Sequence, residues 1–446
     1  MFSWKKCVRE RRRLSWAGWQ TRLAWALGAF VWAQCASGAE WPEWRGGPTR
    51  DGCWNEPTLT PTLPPDGPKV VWKQVIGGGF GGPAVAGGRV YVMDRELPPA
   101  VDDELEEILC LDARDGRPIW TNSYRCVLNL SGGYANGPRA TPTVRDGRVY
   151  TLGAMGSMRC LDAMTGKLVW VVDLRSERHV QIPTWGMANA PWIEGNLVVV
   201  QGGGNDHDTV MAFDRETGRE VWHSLEGKAG YASILGIGSG KTRELIVWTA
   251  SGLSGLNPAT GASYWSQPRT EKWDQAVATP VWDPKSNQLL IASDREGALT
   301  LQLDPVAHTC RKLWEGIGFS ALHSTPVVKD GFLYGINHNG DKLENCGEFR
   351  CVELASGNVR WAVTNVTRIG RWAQAHVTLN TGTDTFYISN EFGELILAKA
   401  NPEGYHEMAR AQVCGKTWSH PAYAGKRMFA RTETGLVCVS LESGSP

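Results

Sequence analysis

The chain has 446 residues, with 46 Lys and Arg balanced by 46 Asp and Glu. Seven of those basic residues and one acidic residue lie in the first 39, so the remainder carries 39 positive and 45 negative charges. An acidic remainder has no basic field to hold a polyanion, which excludes nucleic acid as the expected partner.

Residues 1–39 read as a secretory signal peptide. Lys5, Lys6, Arg9, Arg11, Arg12, Arg13 and Arg22 form a basic leader, residues 23–33 (LAWALGAFVWA) are an apolar run, and Ser37-Gly38-Ala39 supplies small residues for cleavage. A run of 11 residues is too short to cross a bilayer as a helix. No later segment is both apolar and long enough to do so. The expectation is export to the periplasm or cell envelope, with no integral membrane segment after cleavage. Residues 40–68 follow as a Pro-rich extension, expected to lie over the rim of the domain behind it.

From residue 69 onward one phrase recurs. CLDARDGRPIW (110–120) and CLDAMTGKLVW (160–170) are nearly identical. Trp120, Trp170, Trp222, Trp265, Trp314 and Trp361 end successive copies at intervals of 50, 52, 43, 49 and 47 residues, and Met408 ends a degenerate seventh. Length alone predicts roughly two or three domains, but this period is that of propeller blades. Within each period, four short runs rich in Val, Leu, Tyr and Thr alternate apolar with polar, as strands do. Asp146-Gly147 marks a hairpin and Thr165-Gly166 a second tight turn. Pro142 opens the first strand, where a missing N–H costs least.

The repeat also closes on itself. After Pro421 three strands remain, and a lone copy of the fourth, Trp-bearing strand stands at residues 69–75 (KVVWKQV). Joining the two ends completes an eighth blade and removes free sheet edges. The expected fold is therefore all-β: one eight-bladed propeller over residues 69–441, with four antiparallel strands per blade.

The phrase D-A-x-T-G-x-x-x-W, once per blade, resembles the tryptophan-docking motif of the pyrroloquinoline quinone (PQQ)-type propellers. Trp41-Pro42-Glu43-Trp44-Arg45-Gly46 with Arg50-Asp51-Gly52 is similar to the lead-in of many exported members. The resemblance implies one of two protein types. Quinoprotein dehydrogenases use PQQ and calcium; cofactor-free scaffolds include the BamB-type outer-membrane-protein assembly factor. The family's alcohol-oxidising enzymes carry two adjacent cysteines bridged over the quinone, and no Cys-Cys dipeptide exists here. Their calcium ligands and catalytic Asp have no matching positions that the sequence identifies.

Alternation along each blade sends the A–B and C–D turns to one face and the B–C and blade-to-blade loops to the other. The second set is the varied one, so that face is the candidate for function. Each of its links carries an aromatic: Phe80, Tyr134, Trp185, Tyr231, Trp273, Phe319, Trp372 and Trp418. These rings suit either stacking against a ligand or wedging between blades. Arg139, Asn189, His323, His376 and His420 follow them at the start of inner strands. Three of these are histidines from successive blades, which either cap their own loops or converge on a metal or anion. Asp206, His207 and Asp208 in a B–C loop supply donors for calcium without EF-hand spacing. Asp102, Asp103, Glu104, Glu106 and Glu107 form an acidic insert. Of 11 cysteines, Cys110, Cys160, Cys351 and Cys438 occupy one repeat position and are expected to be small buried apolar residues, while spacing leaves open whether Cys346 and Cys351 pair.

The leading expectation is an exported, non-catalytic, monomeric propeller without a cofactor. It would bind a partner protein or small ligand of the cell envelope on its aromatic face. A PQQ- and calcium-dependent alcohol or sugar dehydrogenase is the alternative, and a carbohydrate-binding propeller is a second.

Overall fold

Each period of the repeat folds as a four-stranded antiparallel sheet. In blade 2 the strands are Thr143–Arg145, Arg148–Leu152, Ser157–Asp162 and Leu168–Asp173, hydrogen-bonded in chain order. The second strand is almost wholly buried because both its faces pack against neighbouring blades. The outermost strand alternates exposed and buried residues, as expected of a sheet edge with one wet face. The computed structural model describes residues 40–96, 104–128, 137–204 and 208–442. The expected signal peptide, Asp102, Asp103, Tyr134, Asp206 and His207 lie outside those residues. Among the described residues no helix is long and apolar enough to cross a membrane.

Eight such sheets stand among the described residues, one of them with Cys53–Trp54 added as a fifth strand. The last joins the chain ends: Val70–Val75 pairs antiparallel with Gly435–Ser440. The ring is thus closed by hydrogen bonds between segments more than 350 residues apart, which give the last blade its fourth strand.

The recurring tryptophan locks blade to blade. Trp120 Nε1 donates to the Ala163 carbonyl at 3.1 Å, Trp170 to Arg215 at 2.9 Å and Trp314 to Leu354 at 2.8 Å, each in the following blade. A register shift beside each tryptophan, as between Leu168 and Trp170, twists the outer strand and re-aims the ring. The turn glycine of the next blade lies flat on that ring. A Cβ on Gly218 (φ +72°) would stand 2.8 Å from Trp170 Cδ2, so the glycine is needed for both its backbone conformation and its bareness. Blade 5 lacks the glycine. There His308 Nδ1 meets Glu244 Oε1 at 2.6 Å, and Trp265 Nε1 donates to Glu244 Oε2 at 2.9 Å.

The extension before blade 1 is not simply a rim element. Residues 41–54 fill the centre of the ring and touch all eight blades, and only residues 55–68 run outward across blade 7. Trp41 pairs with Val85 and the Pro42 carbonyl accepts from Val144 N–H. Arg50 donates to the Ala190, Pro191 and Ile234 carbonyls at 3.3, 2.7 and 3.0 Å. Trp44 Nε1 donates to Thr279 Oγ1 at 2.8 Å, and Arg45 reaches the Thr325 and Pro326 carbonyls. Cys53–Trp54 then lies parallel to Ala375–Asn380 of blade 7, and Trp54 stacks on Tyr423 of blade 8. The carbonyls of Ala190, Pro191, Ile234, Thr325 and Pro326, at the starts of inner strands in blades 3, 4 and 6, face this segment. Two guanidiniums with five N–H donors each can satisfy these acceptors, which a Pro-rich tail on the rim would leave bare.

Cys110, Cys160, Cys351 and Cys438 are free and fully buried among apolar neighbours. Cys346 and Cys351 do not pair; the Cys346 thiol donates to the Asn339 carbonyl instead.

Candidate functional site

On the face of the varied loops, the ring opens into a cavity of about 430 Å³. Its floor is Trp44 of the central segment, together with His376, His420 and Thr279. Its walls are the link aromatics. Phe80, Trp185, Tyr231, Trp273, Trp372 and Trp418 all line it. Phe319 does not, being fully buried in the core of blades 4 to 6. Trp418 is the hub of the wall. Trp372 stacks on it at 5.7 Å and 17°, Phe80 at 6.2 Å and 30°, and His323 at 6.3 Å and 20°. The Arg139 guanidinium lies 5.2 Å over Phe80, where the negative face of the ring attracts it.

Of the residues singled out from sequence, Arg139, Trp185, Trp273, His323, Trp372, His376, Trp418 and His420 come together around this one cavity. Asn189 does not. It is buried and braces its own blade, accepting from Gln201 N–H and donating to the Gln201 carbonyl at 3.0 and 3.1 Å. Asp208 lies elsewhere, 3.8 Å from His223.

The structure adds residues that sequence reading passed over. Asp294, Arg295 and His338 come from B–C loops of blades 5 and 6 and line the same cavity with Arg371. Asp294 Oδ1 meets His338 Nδ1 at 2.8 Å, and His338 Nε2 meets the Arg371 carbonyl at 2.7 Å. Arg295 pairs with Asp341. The available signal was the deviation of these loops (SDREG, INHNGD) from the short turns of the opposite face.

The two floor histidines are neutral. His376 Nε2 meets the Trp418 carbonyl at 3.0 Å, and His420 Nδ1 meets the Pro421 carbonyl at 2.7 Å. A carbonyl only accepts, so those nitrogens carry the protons. His376 Nδ1 and His420 Nε2 are then buried lone pairs without partners. Burial pushes His376 down to about 4 and His420 well below the usual imidazole range, with the nearby Arg45 guanidinium adding to both. His323 is lowered as well, by burial and by His338 and His376, although its ring opens to cavity water that offsets part of the effect.

Because these pKa values are lowered on folding, the unfolded chain binds more protons between the two values. Stability is therefore complete above about pH 6.5 and falls as the pH drops toward 4. Urea midpoints measured across that window check this, and His376→Gln should flatten the slope. An unchanged slope in the variant would contradict the assignment.

The fold and the cavity define the class: a closed eight-bladed propeller with an aromatic pocket at the centre of one face. A family profile described as outer membrane protein assembly factor BamB matches residues 104–363, more than half of the sequence, and the chain belongs to that PQQ-like propeller family. It is similar over part of its length to two kinds of relative. A quinohemoprotein alcohol dehydrogenase, ADH-IIG of Pseudomonas putida, is 31% identical over 119 residues, 26% of this chain and 16% of that enzyme. The outer membrane protein assembly factor BamB of Moranella endobia is 25% identical over 260 residues, 55% of this chain and 61% of its own. Among solved structures, the quinohemoprotein alcohol dehydrogenase of Comamonas testosteroni superposes with a TM-score of 0.61 at 14% identity, covering 92% of this chain and 81% of that one. That likeness speaks for the fold. The chain thus spans well under a third of the dehydrogenase whose sequence it matches.

The residues of the cavity can be tested against the group the dehydrogenases use. Calcium takes six to eight oxygen ligands, several of them carboxylate. The lining offers one carboxylate, Asp294, already engaged by His338 and lying 3.7 Å from Arg295. Among the described residues no three His, Cys, Asp or Glu side chains stand together as a metal site. The donor set does not fit a calcium-bound quinone, although the flat aromatic walls would accept a planar ring.

Proposed function

We propose that this chain is an exported, non-catalytic propeller that binds a partner protein or ligand of the cell envelope in the aromatic cavity. The observation that carries this reading is the cavity itself. Six link aromatics from six different links face one space, and Trp44 of the central segment closes its far end. The side chains in it are imidazoles, guanidiniums and stacked rings, a set that orients and buries a guest. Asp294, the lone carboxylate of the lining, is held by His338 and Arg295, so no free carboxylate faces the guest. The match to the profile described as BamB and a lining with one carboxylate support a binding role.

The PQQ-dependent oxidoreductase remains the rival because part of the chain is similar to such enzymes. Titration of the purified protein with PQQ and Ca²⁺ separates the two. The expected result is no quinone-dependent absorbance change and no reduction of an artificial electron acceptor by alcohols or sugars. Turnover that requires quinone and calcium would overturn the binding reading. Carbohydrate binding is tested on a glycan array.

A further inference from the structure

Apolar surface is unevenly spread over the propeller. Trp273, Ile317, Leu343, Ile369, Trp372 and Phe392 are between 41% and 66% exposed. All six lie on the cavity face, on links and B–C loops of blades 4 to 7. Many of the other exposed apolar residues, such as Leu168, Val169 and Val171, sit on outermost strands. Single exposed apolar residues are ordinary, whereas an arc of them bordering a cavity marks an interaction surface.

A second cavity of about 380 Å³ adjoins the first and shares the wall formed by Phe80, Trp372 and Trp418. The linings of the two cavities together contain five Arg or Lys and three Asp or Glu. Most of these charges are already paired within the chain. Among the described residues Arg371 and Lys416 are not, and of these carboxylates only Glu433 lacks an ion pair. Arg371 is exposed at the cavity mouth and Lys416 lies at the adjoining chamber. The unspent charge of the site is positive although the chain beyond residue 39 is acidic.

We propose that this face docks an acidic segment of a partner protein. One aromatic or branched apolar side chain of that segment fills the cavity, and its carboxylates meet Arg371 and Lys416. The proposal rests on the binding reading above and supplies the chemistry of the partner. Ile317, Leu343 and Ile369 decide between a protein and a sugar chain. Sugar hydroxyls need hydrogen-bond partners that aliphatic side chains lack, whereas the apolar side chains of a protein are covered by them. A buried anchor in a central pocket supplies most of the affinity of such interfaces, and rim charges act on the rate of encounter and on the salt dependence.

The full chain is titrated by calorimetry with three capped peptides of equal length. One places Phe-Leu between Asp and Glu residues, one places Phe-Leu between Lys residues, and one keeps the acidic residues with Ala in place of Phe-Leu. Oligogalacturonate, an acidic sugar chain, is the fourth probe. The acidic anchor peptide is expected to bind at least about 10-fold more tightly than each of the others, with salt weakening it several-fold. Arg371→Glu should lower that affinity about 10-fold, and Arg371→Lys should keep most of it. The exposed position of Arg371 leaves folding intact. The proposal is overturned if the basic or the Ala peptide binds as well, if no peptide binds, or if Arg371→Glu has no effect. Binding of oligogalacturonate alone, with quenching of the cavity tryptophans, would remove the peptide and keep the cavity as a binding site. Turnover with quinone and calcium would remove both.

Discussion

Arg50→Met should lower the stability of the propeller by about 3–5 kcal/mol, the range for removing one partner of a buried ion pair. Arg50 is 1% exposed, and its Nε lies 2.9 Å from Glu43 Oε2. Its other nitrogens hold three carbonyls from blades 3 and 4. Met keeps the unbranched apolar stem of the side chain and removes every donor. The Ala190 and Ile234 carbonyls then lose their guanidinium donor, the Pro191 carbonyl keeps only the Thr143 hydroxyl at 2.6 Å, and Glu43 keeps only Arg145, at 2.6 Å. The cost lies in desolvated acceptors more than in lost attraction, because a buried pair gains little over an apolar pair of equal shape. Urea unfolding measures it as a lower midpoint at unchanged slope. The double variant Glu43→Gln/Arg50→Met should recover part of the loss. A loss below about 1 kcal/mol would mean that water reaches these carbonyls and that the central segment does not seal the ring.

Trp170→Ala should cost about 3–5 kcal/mol, the range for truncating a buried large aromatic. The ring is 8% exposed, donates to Arg215 of the next blade, and has Gly218 flat against it. Gly218→Ala tests the same contact from the other side. It forces an L residue into a left-handed conformation and drives a methyl into the indole, so about 1–3 kcal/mol is expected. Trp273 is the control. It is 66% exposed, so Trp273→Ala should change stability by less than about 0.5 kcal/mol while altering the cavity. Equal losses in Trp170→Ala and Trp273→Ala would contradict the division between docking tryptophans and cavity tryptophans.

That division shows how far local sequence reaches. The docking tryptophans recur with the blade period because each repeat meets the same neighbour in the same way. The link aromatics recur as well, which is why eight of the nine side chains chosen from sequence meet around one cavity. Asn189 failed for a local reason: a short amide at the start of an inner strand is within reach of its own blade and is spent on Gln201. Phe319 takes the other role open to a link aromatic, since its link turns the ring down into the core.

The repeat by itself determined the blade number, the strand order, the closure of the ring and the face that carries the varied loops. Those features depend on contacts between neighbouring strands and on a periodic pattern, and a period is visible in one dimension. Only the tertiary structure decided what occupies the middle. Trp44 meets Thr279 across 235 residues, and Arg45 meets Thr325 across 280. A segment that occurs once, satisfied by backbone carbonyls, leaves no pattern in the residues it touches, because every residue has a carbonyl. The cavity floor and the lowered His376 and His420 within it follow from that placement.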